Sequence, residues 1–232
     1  ILQMELPPIA LHASTQADVR TADKVRFLAK AGFSRVVLAR ELSLDEIFAI
    51  HNACPDVELE CFVHGALCVS YSGQCYASHY CFGRSANRGE CAQFCRLPFS
   101  VTDSDGNLLL KEKYPLSLKD MNRIGQLEKL LDAGVVSLKI EGRLKDITYV
   151  KNITAAYRQE LDRVFKRRKE FVKSSAGFVQ YTFSPQPDRS FNRGFTDYML
   201  NGSKSDIWSV DTPKAVGEPM GRIRICGRNW LT

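Results

Sequence analysis

The chain has 232 residues, 44% of them hydrophobic, 25% charged and 10% aromatic, with 32 Lys and Arg against 26 Asp and Glu for a formal charge of +6. That is ordinary globular composition, which excludes wholesale disorder, and no stretch approaches the ~18 uncharged apolar residues of a membrane-spanning helix. The mild basic excess permits a polyanionic partner without requiring one.

The opening residues 1–6 carry no basic leader, no apolar stretch and no initiator Met, so we expect a cytoplasmic segment of a longer protein without a signal peptide. A strand over residues 8–13 precedes a helix over 17–31 that stops at Gly32. A second strand, 35–40, leads to a helix announced by Ser43 with Glu46 three residues on, the pattern of a capping box. The third strand runs over 57–64. After a long insertion come a helix over 121–133 ending at Gly134, a fourth strand over 135–140 and a basic helix over 146–167. Strand–helix alternation of this kind predicts a parallel sheet with crossover helices. Four such units are half of an eight-stranded α/β barrel; a doubly wound sheet is the alternative. Residues 1–172 then form the partial barrel, and 173–232, broken by Pro and Gly, a linker and the start of a small β module.

The insertion, residues 65–120, is too long for an ordinary connection and is therefore expected to be functional. Its second half reads as a hairpin, 98–101 and 107–110, around the turn 103–106 with its Asp-Gly pair. Its first half holds five of the chain's eight cysteines. The spacing Cys68-x6-Cys75-x15-Cys91-x3-Cys95, with Cys81 as a spare, lacks the C-x2-C knuckles of structural zinc. Four thiolates so arranged suit an iron–sulfur cluster, with zinc, or thiols that bind nothing, as the alternatives.

In a barrel these cysteines would lie just beyond a strand's C-terminal end, on the catalytic face. Alternation along the third strand puts Glu58, Glu60, Phe62 and His64 on one face, against Leu59, Cys61 and Val63. Glu60 and His64 are therefore candidates to line the site, or else a solvated acid and a satisfied core histidine. Lys139, Glu141 and Arg143 share a face at the fourth strand's end, which suits an anionic ligand or a plain salt-bridge ladder. Arg84, Arg88 and Arg96 lie among the cysteines and are candidate phosphate contacts. The basic run 166–169 reads as an RNA contact or as a solvated face.

The stretch 58–75, with the blocks 84–89, 91–96, 116–120 and 139–143, resembles the signature of the collagenase-like peptidases of family U32. The resemblance spans about residues 11–157 and, more weakly, extends to 221. It implies the second half of an eight-stranded TIM-type barrel, the missing strands leaving the active site incomplete. Members include RNA hydroxylases, which add a 5-hydroxyl to a pyrimidine, and proteins of oxygen-independent ubiquinone hydroxylation. The branch that hydroxylates a cytidine of large-subunit ribosomal RNA is the most similar. Its four cluster ligands map onto Cys68, Cys75, Cys91 and Cys95. The ubiquinone and transfer-RNA branches place one ligand after a Lys-Asp pair, where this chain has Met121 after Lys119-Asp120. Prephenate is implied as a co-substrate.

The expectation is therefore an RNA hydroxylase with a four-iron four-sulfur cluster easily lost in air, with His64, Glu60 and Glu141 as catalytic candidates. Arg84, Arg88, Arg96, Lys139 and Arg143 are the substrate-binding candidates. A peptidase and a non-catalytic iron–sulfur partner are the alternatives. Open barrel edges predict dimerisation or association.

Overall fold

The structure, a computed structural model, describes residues 9–202, 206–217 and 221–230. Strands β1 (Leu11–Ala13), β2 (Phe33–Val37), β3 (Glu58–Ala66) and β7 (Val135–Ile140) pair in parallel in the order β1-β2-β3-β7. These are the four expected strands; Pro8, the expected start of the first, lies outside the described residues. Helices α1 (Ala22–Lys30), α2 (Leu44–Ala53), α4 (Leu127–Asp132) and α5 (Ile147–Arg167) follow β1, β2, the insertion and β7 respectively. Their apolar stripes meet the outward residues of the sheet in one core. Val25 and Leu28, Ile47 and Ile50, Leu127 and Leu130, and Tyr149 and Ile153 pack there against Val36, Leu59, Cys61 and Val63. All four helices therefore share one face. The sheet is an open α/β sheet rich in parallel pairs, and no closed barrel is present among the described residues.

Local chemistry explains most of these elements. The Ser43 hydroxyl accepts from Glu46 N–H (3.3 Å), and the Glu46 carboxylate accepts from Ser43 N–H (2.8 Å), so the capping box is formed. Asp146 caps α5 by accepting from Tyr149 N–H at 2.7 Å. In the insertion, α3 (Ala77–Phe82) precedes the hairpin of β4 (Phe99–Thr102) and β5 (Leu108–Lys113). Asp103 Oδ1 closes its turn by accepting the N–H groups of Asp105 and Asn107.

Two expected helices are shorter than their periodicity predicts. Residues 18–20 leave the helical path because the Asp18 side chain bonds Arg20 and Gln74, and α1 begins only after its cap Thr21. Residues 120–122 form a strand, β6 (Asp120–Asn122), antiparallel to the last residues of β3. A tertiary pair overrides the helical pattern there: Asp120 accepts from Arg193 Nη1 at 3.0 Å, and both side chains are nearly buried. Beyond α5 regular structure is sparse, but β8 (Phe195–Thr196) pairs with β6. The same segment packs Tyr198 and Ile207 with Phe62, Leu67 and Met121 on the sheet's second face.

Candidate metal centre and active site

The functional elements gather at the C-terminal ends of the parallel strands. At the end of β3, Gly65 has φ +105°, and a Cβ there would lie 2.3 Å from the Glu141 carbonyl oxygen. Only glycine allows the ends of β3 and β7 to approach so closely, with Glu141 N–H donating to His64 O at 2.8 Å. The chain then leaves the sheet as the cysteine-bearing loop, which side chains staple across neighbouring strand ends. Ser72 donates to both Glu41 carboxylate oxygens (3.0 Å each), and Gln74 donates to Asp18 (2.6 Å). Arg143 donates to Gly89 O (3.2 Å).

The stapled loop folds around a cavity of about 240 Å³ lined by Cys68, Cys75, Cys91 and Cys95. Tyr76, Phe94 and Leu116 complete much of its wall. All eight cysteines are free thiols. Cys81 is exposed and does not line the cavity, and Cys61 sits in the core with its thiol pushed up to about 12 by burial. The Cys68 and Cys95 thiols are raised above the ordinary cysteine value, first by desolvation and then by the neighbouring cavity cysteines. Arg40 opposes this at Cys68 and Arg96 at Cys95. Four thiolates this close repel one another, so their joint ionisation calls for added positive charge, which is what a bound metal supplies. Among the described residues, no three Cys, His, Asp or Glu side chains converge closely enough for a single metal ion. The sulfurs surround a volume rather than a point.

The remaining expected site residues divide. Arg84 and Arg88 are exposed beside the cysteines, as a phosphate contact requires. Arg96 does not have that freedom. Its guanidinium donates to Ser117 Oγ (2.7 Å), Leu118 O (2.8 Å) and Leu67 O (2.7 Å), binding the start of the loop to its end. It is a clamp, not a substrate contact. Glu60 lies on the sheet's second face, accepting from Ser137 Oγ at 2.7 Å between Arg35 (3.6 Å) and Lys139 (3.5 Å). Lys139 is therefore ion-paired across the sheet, and Glu60, 12% exposed between two cations, is not a solvated acid. Glu141 is half-buried, 4.0 Å from Arg40.

His64 corrects the expected alternation. Phe62 pairs with Lys139 and His64 with Ile140, so Val63 is an extra residue in β3. The Val63 carbonyl is taken by Tyr157 Oη–H (2.7 Å) and Arg123 N–H (2.9 Å). This bulge turns His64 away from the side it would share with Glu60 and Phe62. Its ring lies among Tyr149, Tyr157 and Phe195 at 6.1, 5.5 and 5.4 Å, with 1% exposure. Burial lowers its pKa to about 4, so it is a neutral core histidine rather than an accessible base. Among the described residues no histidine ring is hydrogen-bonded to a Ser or Cys side chain. Sequence reasoning missed Arg40, whose only signal is a charge ending the apolar run 36–39.

The residues of this loop and cavity lie within a match to the family model of Peptidase family U32 that covers residues 1–209. The chain belongs to Peptidase family U32. The chain is 52% identical over 223 residues to the 23S rRNA 5-hydroxycytidine C2501 synthase of Escherichia coli, covering 96% of this chain and 34% of that protein. It is 34% identical to tRNA hydroxylation protein P1 of Bacillus subtilis (85% of this chain, 46% of that protein). It is also 35% identical to a collagenase of Porphyromonas gingivalis (87% and 50%). The chain thus spans a third to a half of the length of these relatives. No solved structure matches it. Among the described residues no helix is long and apolar enough to cross a membrane.

Proposed function

We propose that this chain is the cysteine-bearing part of a U32 RNA hydroxylase that modifies a cytidine of large-subunit ribosomal RNA in the cytoplasm. The observation that carries the reading is the 52% identity to the 23S rRNA 5-hydroxycytidine C2501 synthase, which extends over nearly the whole chain. Cys68, Cys75, Cys91 and Cys95 would hold a four-iron four-sulfur cluster, a centre able to exchange electrons with a substrate bound beside it. Four thiols spread around one cavity, with no single-ion convergence, favour a polynuclear centre over zinc. The loop's own residues would hold the RNA. Tyr76 and Tyr80 are 69% and 92% exposed one helical turn apart, suited to stacking an unpaired base. Arg84 and Arg88 follow within the same loop to meet phosphates.

The open sheet is read as part of a (β/α) barrel because all four of its helices cover one face, whereas a doubly wound sheet carries helices on both. Further strands, of the same protein or of a second copy, would add at β1 and β7, the outer strands of the parallel set β1-β2-β3-β7.

The test is nucleoside mass spectrometry of ribosomal RNA from cells lacking the gene and complemented with it. Wild type should restore a 5-hydroxycytidine, and Cys68→Ala, Cys75→Ala, Cys91→Ala and Cys95→Ala should not. Anaerobically purified protein should lose its iron in the same four variants and keep it in Cys54→Ala and Cys226→Ala. Unchanged RNA in the deletion strain, with cleavage of a protein substrate by iron-free protein, would replace the hydroxylase with a peptidase.

A further inference from the structure

Between the starts of α1 and α2 lies a groove of about 900 Å³ that contains none of the cysteines. The segment 68–75 lines both hollows: Cys68 and Cys75 line the cysteine cavity, and Tyr71 lines the groove.

Tyr71 is held in place by its neighbours. Ser72 beside it is buried, donates to Glu41 (3.0 Å) and accepts from Arg40 N–H (3.4 Å). Gly73 has φ +75°, and a Cβ there would lie 2.4 Å from the Gln16 carbonyl oxygen, so the loop is pressed onto the segment before α1. The Arg20 guanidinium carbon sits 5.0 Å from the Tyr71 ring centroid. Arg20 is itself fixed to Asp18 through Nε (2.7 Å) and Nη2 (3.1 Å). With that cation on the ring, Tyr71 is still 51% exposed. A positioned aromatic left half in water inside a groove is a stacking surface.

The charges around it narrow what can stack there. Asp18, Glu41 and Glu46 stand against Arg20 and Lys24, so charge gives no strong pull on a polyanion. All three acids are engaged by this chain: Asp18 accepts from Arg20 and Gln74, Glu41 from Ser72, and Glu46 from Ser43. Lys24 is different. It acts on Asp18 through space, but its ammonium makes no hydrogen bond or ion pair with a described residue. An aromatic face with one free ammonium fits a flat base and a single phosphate, not a duplex backbone. Paired bases are already stacked within their helix, so the nucleotide that fits is an unpaired one.

We propose that this groove holds a second unpaired nucleotide of the RNA strand, its base stacked on Tyr71 and its phosphate met by Lys24. The site rests on the RNA reading and adds a contact for a nucleotide beyond the one that is modified.

The test is fluorescence anisotropy of the full-length protein with single-stranded oligocytidylate, abasic RNA of the same length and duplex RNA, over a salt series. Tyr71→Ala should weaken oligocytidylate binding about tenfold at an unchanged salt slope, and Tyr71→Phe should retain the parent affinity. Lys24→Ala should instead lower the salt slope by about 0.7, the share of one single-strand phosphate. Binding of abasic and duplex RNA should not change in Tyr71→Ala, whereas a merely structural Tyr71 would weaken all three. Tyr71→Trp keeps a stacking ring and adds a fluorophore, whose emission oligocytidylate should quench and abasic RNA should not. That variant decides the matter if Tyr71→Ala does not fold. Equal oligocytidylate affinity for parent and Tyr71→Ala, an equal loss on abasic RNA, or Trp emission unmoved by oligocytidylate would each overturn the site and leave the hydroxylase standing. A parent that binds none of the three RNAs would overturn the site together with the RNA reading.

Discussion

Replacing Arg96 by Ala tests whether the cysteine loop is held by a clamp or decorated with a phosphate contact. The guanidinium makes three bonds of 2.7–2.8 Å, to Leu67 O, Leu118 O and Ser117 Oγ, and Leu118 and Ser117 are buried. Removing it strands acceptors at both ends of the loop. Each charge-assisted bond is worth about 1.5–3 kcal/mol net, and discounting for the partial solvent access of the side chain leaves a loss of about 3 kcal/mol. With a urea m-value of about 2–3 kcal/mol/M, the midpoint should fall by about 1–1.5 M. Because Leu67 precedes Cys68 and Arg96 follows Cys95, iron content should fall with it. Urea unfolding followed by far-UV dichroism, with iron assayed on the same samples, measures both. An unchanged midpoint combined with a shallower salt dependence of RNA binding would refute the clamp and restore Arg96 as a phosphate contact.

Burial lowers the His64 pKa from 6.5 to about 4, so the unfolded chain takes up a proton in this window while the native state does not. Its contribution, about 3 kcal/mol, is complete above pH 6.5, is lost as pH falls to about 4, and changes no further below that; His64→Gln should flatten this slope in denaturant titrations from pH 7 to 4. Gly65→Ala should destabilise by about 2–4 kcal/mol, since φ +105° and the contact with the Glu141 carbonyl both oppose a Cβ, and a wild-type midpoint would disprove the close approach. The double change Arg84→Ala with Arg88→Ala should leave stability within about 0.5 kcal/mol. It should also reduce the salt slope of RNA binding by about 1.5, read by filter binding or anisotropy.

What was legible in the sequence followed from local pattern. The apolar runs of β2, β3 and β7, the capping box at Ser43 and the turn at Asp103 depend on neighbours within a few residues, and all form. The four cavity cysteines were legible because their spacing and polar neighbours set them apart from Cys54 and Cys61, which are buried. What failed was governed by distant residues. Alternation predicts the side His64 faces only while the ladder is regular, and the Val63 carbonyl is diverted by Tyr157, 94 residues on. Strand β6 exists because Asp120 meets Arg193 and Asn122 meets His64, neither of which a helical period reveals.

The arginines carry the same distinction into function. All of Arg84, Arg88, Arg96 and Arg143 read alike in the sequence, as cations near an expected anion. In the fold they separate by what their donors do. Arg96, like Arg123 in the core, has its guanidinium committed to acceptors of its own chain, so its charge is structural. Arg143 keeps one bond, to Gly89, and is otherwise exposed, so it both tethers the loop and faces solvent. Arg84 and Arg88 lie open beside the cysteines, and Arg40, beside Glu141, keeps a buried Nε with no hydrogen-bond partner among the described residues. A committed arginine fixes where the thiols stand, whereas an uncommitted one has bonding capacity left for a ligand. That capacity, rather than charge alone, distinguishes the residues that shape this cavity from those positioned to recognise what comes to it.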